Sequence, residues 1–250
     1  AAGFYEEGAT LINDGDGISG VVGGRTPLYT PLEILGVASW VQASTTNFFS
    51  TQSVTIPTGT KSVVMMGGIG TNGSRNTVHT TATLGGNALT EVVSVNNTPA
   101  QYTFDSAIFV GNTSLTGTQL AAFNYSREQT VYGSGHYIIF LNKEFNSFVP
   151  SSSDSAFGTG NPITLSLTKY GEGLQLGAAT IRNDPAGTIT NMPSTAALVH
   201  SGGRDSRYGW GITSGNYNES SALLPAASVI NNDYGETFCA VTFAPTKFNN

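Results

Sequence analysis

The chain has 250 residues, among them 31 Gly, 25 Ser, 32 Thr and 20 Asn, while only 10% of positions carry charge. A soluble domain normally has about a quarter of its residues charged, which argues against long helices needing Glu, Lys and Arg on their outer face. Disorder is disfavoured too, because 39% hydrophobic residues, with 13 Phe and 10 Tyr, suffice for a core and the net charge is only -6.

The length fits one large all-β unit, since such domains run to roughly 200–250 residues. The longest apolar stretches, such as Val63 to Met66 and Tyr137 to Leu141, fall far short of the roughly 18 residues of a membrane span, so no membrane partner is expected. The chain opens without a basic region followed by an apolar one, so a retained signal peptide is not expected. Cys239 is the sole cysteine, which excludes an intramolecular disulfide and any multi-Cys zinc site. Strand alternation through Thr237 to Phe243 sets Cys239 beside Val241, so it reads as a small buried hydrophobe rather than a nucleophile. A reducing compartment fits that usage.

In chain order, residues 1–33 stand apart. They hold Glu6, Glu7, Asp14, Asp16 and Glu33 against Arg25 alone, and Gly and Pro break their apolar residues into isolated pairs. The segment reads as an extended acidic arm that wraps its own domain or docks on a partner through Phe4, Tyr5, Leu11, Ile12, Leu28 and Tyr29, with a floppy terminus as the equal alternative. Asp14 and Asp16 lie in a Gly-rich turn with oxygen ligands of the kind Ca²⁺ prefers, but no distal Glu completes a calcium loop, and a solvated turn is favoured.

From Ile34 to Asn250 short apolar or alternating runs recur, each closed by Gly, Asn, Pro or Ser. They cover Ile34 to Ala43, Ser53 to Ile56, Ser62 to Met66, Val78 to Leu84, Leu89 to Val95, Ala107 to Val110, Gln119 to Tyr125 and Tyr137 to Leu141. Ile163 to Thr168, Leu174 to Ile181, Tyr208 to Thr213 and Phe238 to Phe243 continue the series. Pro57-Thr58-Gly59-Thr60, Gly85-Gly86-Asn87 and Leu115-Thr116-Gly117-Thr118 are the turns between them. Ser151 to Gly160 reads as the internal loop joining two halves, and only Pro31 to Trp40 and Ser221 to Ile230 compete as short helices. The fold expected is all-β, an antiparallel β-sandwich of jelly-roll type over 34–250 behind the N-terminal arm.

No motif names a reaction, and no cofactor, metal or catalytic residue is expected. Gly68 to Gly73 matches G-x-G-x-x-G, but the β-branched segment after it cannot start the helix that a dinucleotide site needs, so it reads as a hairpin loop. His79 alternates with Thr81 and Thr83 on a polar strand face and His136 opens an apolar run, so both read as ordinary surface and strand-end histidines. Asp105, Glu128, Glu172, Asp184 and Asp205 serve glycoside hydrolysis only if the fold brings two of them together. The most site-like stretch is Gly202 to Trp210, where Arg204, Asp205, Arg207, Tyr208 and Trp210 offer what a glycan or a protein hot spot uses. An Asp–Arg pair at a strand end, with Trp210 capping the core, is the favoured alternative there. Four Lys and six Arg scattered through the chain give no basic patch, so no nucleic-acid partner is expected.

The run Val54 to Val64, with Pro57-Thr58-Gly59-Thr60, and the run Ala82 to Val92, with Gly85-Gly86-Asn87-Ala88-Leu89-Thr90, resemble β-sandwich domains in structural proteins of tailed bacteriophages. Leu115 to Leu120, Leu174 to Ile181 and Thr242 to Pro245 extend the resemblance over about residues 34–246. It implies a non-enzymatic virion component on the particle exterior, a capsid decoration, knob or fibre-like appendage. It also implies a homo-oligomer with other virion proteins as partners; the arm has no counterpart in the resemblance, and its expected docking rests on its own residues. The alternative is a carbohydrate- or receptor-binding module whose partner is a surface glycan.

Overall fold

A computed structural model describes residues 10–13, 18–22, 31–42, 48–72, 77–98, 102–126, 131–158, 165–168, 170, 173–182, 188–189, 197–202, 205–212, 227–228 and 236–249. The strands are β1 (Thr10–Asn13), β2 (Ile18–Val22), β3 (Ile34–Gln42), β4 (Phe49–Ile56), β5 (Ser62–Asn72), β6 (His79–Leu84), β7 (Asn87–Ala88), β8 (Thr90–Asn97) and β9 (Tyr102–Asn112). They continue as β10 (Gly117–Tyr125), β11 (Val131–Leu141), β12 (Ser152–Gly158), β13 (Leu174–Arg182), β14 (Thr188–Ile189), β15 (Ala197–Gly202), β16 (Asp205–Ile212), β17 (Ala227–Ser228) and β18 (Glu236–Phe243). A 3-10 turn, Pro245–Lys247, follows.

Residues 1–31, with Asn250, and residues 32–249 form two compact units. In the first, β1 and β2 pair antiparallel, with Leu11 opposite Val21 and Asn13 opposite Ile18. Leu11 and Ile12 therefore sit on a hairpin strand. Phe4, Tyr5, Asp14, Asp16, Leu28 and Tyr29 lie outside the described residues.

The second unit contains three large antiparallel sheets. Sheet I runs β4-β10-β6-β7, sheet II runs β3-β11-β5-β9-β8, and sheet III runs β12-β18-β13-β16-β15. Sheet II lies between the other two, and alternation along its strands feeds two cores. Val63, Met65, Ala107, Phe109, Ile138 and Phe140 meet Val54, Ile56, Ala82, Leu84, Ala121 and Phe123 of sheet I. Their neighbours Val64, Met66, Ile108, Val110 and Ile139 meet Leu174, Leu176, Ala178, Cys239, Val241 and Phe243 of sheet III. A strand covered on both faces has no reason to alternate, which is why Val63 to Met66 and Tyr137 to Leu141 are unbroken apolar runs. The expected sandwich is present as packed antiparallel sheets, with a third layer added.

The turns follow their residues. Thr60 closes on Pro57 through its N–H and its hydroxyl, at 3.3 and 2.7 Å. Gly85 and Gly86 have φ of 56° and 82°, the left-handed pair that a two-residue hairpin between β6 and β7 requires. Two segments depart from expectation, and two windows leave a helix in competition. Ser152 to Gly158 forms edge strand β12 instead of a loop, because pairing with β18 over its whole length satisfies a backbone whose side chains are too small and polar to signal it. Gly68 to Asn72 continues β5 rather than turning, held by β9 and β11 on either side. The helical window at Pro31 to Trp40 is occupied by β3, and only Ala227–Ser228 of the window at Ser221 to Ile230 is described, as β17. Leu165 and Leu167 are buried and alternate with exposed Ser166 and Thr168, as the alternating run demanded, while residues 163–164 lie outside the described residues.

Candidate functional site

A buried polar cluster lies between sheets I and II, toward the end where β5, β3 and β10 finish and β6, β9 and β11 begin. His79 starts β6, and its backbone N–H donates to Asp105 Oδ2 of β9 at 3.1 Å. Its ring Nδ1 engages the same oxygen in a very short contact. Both residues are closed off, at 5% and 1% exposure, so the carboxylate has exchanged water for two donors on one residue.

Beside this pair, His136 of β11 lies between two aromatic faces, Trp40 at 4.7 Å and Phe123 at 4.3 Å between ring centroids. Tyr125 Oη donates to Ser134 Oγ at 3.0 Å, which leaves it to accept from His136 Nε2 at 3.1 Å. Trp40 Nε1 donates to Ser50 Oγ at 2.8 Å. The two imidazoles meet edge to face with centroids 5.7 Å apart. Gly67 of β5 makes this possible: a Cβ there would lie 2.5 Å from His79 Nε2 and 2.9 Å from His136 Cδ2. The glycine-rich stretch around the G-x-G-x-x-G match thus includes one glycine whose missing side chain is the space the histidines occupy.

The expectation of surface and strand-end histidines is therefore corrected for His79 and His136. Alternation put His79 with Thr81 and Thr83, yet His79 is buried while Thr81 is exposed, because the register with β10 shifts between Asn124 and Tyr125, opposite the start of β6. His136 sits within β11, paired on both sides, with Trp40 and Gly67 opposite it. The missed signal was Asp105: a carboxylate inside the run Phe104 to Val110, on a strand covered on both faces, must be buried and so must have a partner.

Asp105 and Ser106 are consecutive on β9 and face opposite layers. Ser106 Oγ donates to Thr180 Oγ1 of β13 at 3.1 Å and is 2.9 Å from Thr237 Oγ1 of β18. Thr180 Oγ1 in turn donates to the Asp105 carbonyl at 3.0 Å. Two adjacent residues thus pin all three layers together. Cys239 is fully buried against this network, its thiol 3.5 Å from the Ser106 carbonyl. Burial first, and then the Asp105 carboxylate, push the thiol well above its ordinary value, so it stays protonated and inert.

The other sequence candidates are described only in part. Glu128, Glu172, Asp184 and Arg204 lie outside the described residues. Asp205, Arg207, Tyr208 and Trp210 are in β16, an internal strand of sheet III rather than a loop, paired on both edges with β13 and β15. Arg207 is in register with Thr180 and Trp210 with Gly177.

What the described cluster does chemically is hold. A carboxylate and two imidazoles, closed from solvent and wired to hydroxyls on neighbouring strands, fix the relative position of sheets I and II. Among the described residues, no group of three or more His, Cys, Asp or Glu is placed to hold a metal ion. Comparison with protein-family models, with curated proteins and with solved structures found no match.

Proposed function

We propose that the chain is a structural component of a tailed-phage particle, displayed on the exterior and docked through its N-terminal segment. The observation that carries this reading is strand order. The order β3-β11-β5-β9 in sheet II and β4-β10-β6-β7 in sheet I interleaves strands distant in sequence, and the chain crosses from one sheet to the other at nearly every step. That winding is what a jelly roll of two interlocked Greek keys requires, an architecture shared by viral capsid and lectin domains. We read sheets I and II as that jelly roll and sheet III as a second layer built onto it.

Two further features support the role. The buried polar groups serve to lock layers together, as a rigid shell component needs, and residues 1–31 form a compact unit of their own, as a docking segment would. Particles assembled with the chain lacking residues 1–31 are the test. Antibody against the chain should label the exterior of tailed particles carrying the full protein and fail to label those offered the truncated one. Labelling of neither, or equal incorporation of both, refutes the reading.

A further inference from the structure

We propose that β4 is a self-association edge, at which a second copy of this chain adds its own β4 antiparallel and continues sheet I across the two molecules. The inference deepens the structural role proposed above by naming the surface where copies join, and it is tested in solution, so its failure is separate from a failure of the particle placement.

An edge strand exposes unpaired N–H and C=O groups, and proteins that stay monomeric guard such edges with charge, bulges, short length or a covering segment. The edges of the three sheets can be compared directly. In sheet I, β7 is only two residues long. In sheet II, β8 carries Glu91 and a register break between Glu91 and Val93, and β3 has a break opposite Phe140 and Leu141. In sheet III, β15 breaks register between Leu198 and His200. The remaining edge there, β12, carries Asp154, whose carboxylate accepts from the Ser166 N–H at 2.7 Å, so the 165–168 segment runs beside it.

Among the described residues, β4 has none of these guards. Its eight residues, Phe49-Ser50-Thr51-Gln52-Ser53-Val54-Thr55-Ile56, hold no charge, Gly or Pro and pair with β10 without a register break. Pro57 ends it. Apolar side chains are exposed around it: Phe49 is 49% exposed on β4 and Leu120 is 52% exposed on the neighbouring β10, while on β12 Phe157 is exposed beside the guarding Asp154. Val37 and Val41 are exposed on β3, the edge of sheet II joined to β4 in the chain.

The chemistry of the strand selects its occupant. With no charge along it, β4 gives an acidic or basic peptide nothing to pair with, whereas a second neutral, hydroxyl-rich strand meets no unmatched ion. β4 is itself such a strand. A two-fold axis normal to the sheet places odd-numbered residues opposite odd-numbered ones. The outer-face set Phe49, Thr51, Ser53 and Thr55 then continues as one face, and Val54 and Ile56 stay on the core side.

The test is the association of the full chain, measured by sedimentation equilibrium over a wide concentration range, for the wild type, for the pair Thr51→Lys with Ser53→Lys, and for Ser155→Lys on β12. Residues 51, 53 and 155 are exposed, so the fold tolerates the changes, and unaltered circular dichroism verifies this. The wild type should dimerise, the paired lysines should weaken the dimer at least about tenfold by setting like charges opposite each other, and Ser155→Lys should leave it unchanged. Backbone amides of residues 49–56 should exchange more slowly as concentration rises. A wild type that stays monomeric, a dimer indifferent to the β4 lysines, or one weakened equally by Ser155→Lys overturns the proposal.

Discussion

Replacing Asp105 with Ala tests whether the cluster between sheets I and II holds the fold. The side chain accepts two hydrogen bonds, from the backbone N–H and the ring Nδ1 of His79, both inside a layer that water does not reach. Each buried donor left without an acceptor costs about 1–3 kcal/mol, so the two together predict about 2–6 kcal/mol. That range brackets the ~3–5 kcal/mol typical when one partner of a buried pair is removed. At roughly 2–4 °C per kcal/mol for a chain of this size, the midpoint of thermal unfolding should fall by roughly 6–20 °C. Asp105→Asn keeps an acceptor oxygen and should lose about half as much. Urea unfolding monitored by far-ultraviolet dichroism gives the free energies, and adding His79→Ala to Asp105→Ala closes a cycle whose coupling should be about 0.5–3 kcal/mol. An Asp105→Ala protein within about 1 kcal/mol of the wild type, or additive single changes, would refute the pairing.

Gly67→Ala should destabilise by about 1–3 kcal/mol through collision with both imidazoles. Gly86→Ala meets nothing within 4 Å and should cost about 1–2 kcal/mol through its φ of 82° alone, so near-ultraviolet dichroism should change only for the first. Tyr125→Phe removes the hydroxyl shared by Ser134 and His136 and should cost about 1–2 kcal/mol in urea unfolding. For Cys239 the folded state keeps its proton where the unfolded chain loses it. Stability is therefore intact below the thiol's ordinary value of 9.0 and declines as pH rises through and above it. Cys239→Ala should flatten that alkaline decline, and a thiol reagent should react with the wild type only after unfolding.

The all-β class followed from composition and from runs closed by turn residues, because local pairing chemistry and glycine conformations are properties of a few adjacent residues. Gly85-Gly86 and Pro57 to Thr60 turn where their residues require it, and Cys239 lies with Val241 as alternation dictates. The expected strand at Ser62 to Met66 captured only the apolar half of β5. Its continuation through Gly67 to Asn72 has no propensity of its own and exists because β9 and β11 flank it. The same holds for Ser152 to Gly158, which neighbours turned from a loop into a strand. The third layer was written in the unbroken runs of β5 and β11, but an apolar run reports burial on two faces without saying what covers them. The buried cluster was the least legible, since His79, Asp105 and His136 are far apart in the chain and become partners only when β6, β9 and β11 are stacked. Sequence determined the glycine and proline turns and the apolar runs that extend. Stacking decided which polar groups would lose their water, and so which of them had to find one another.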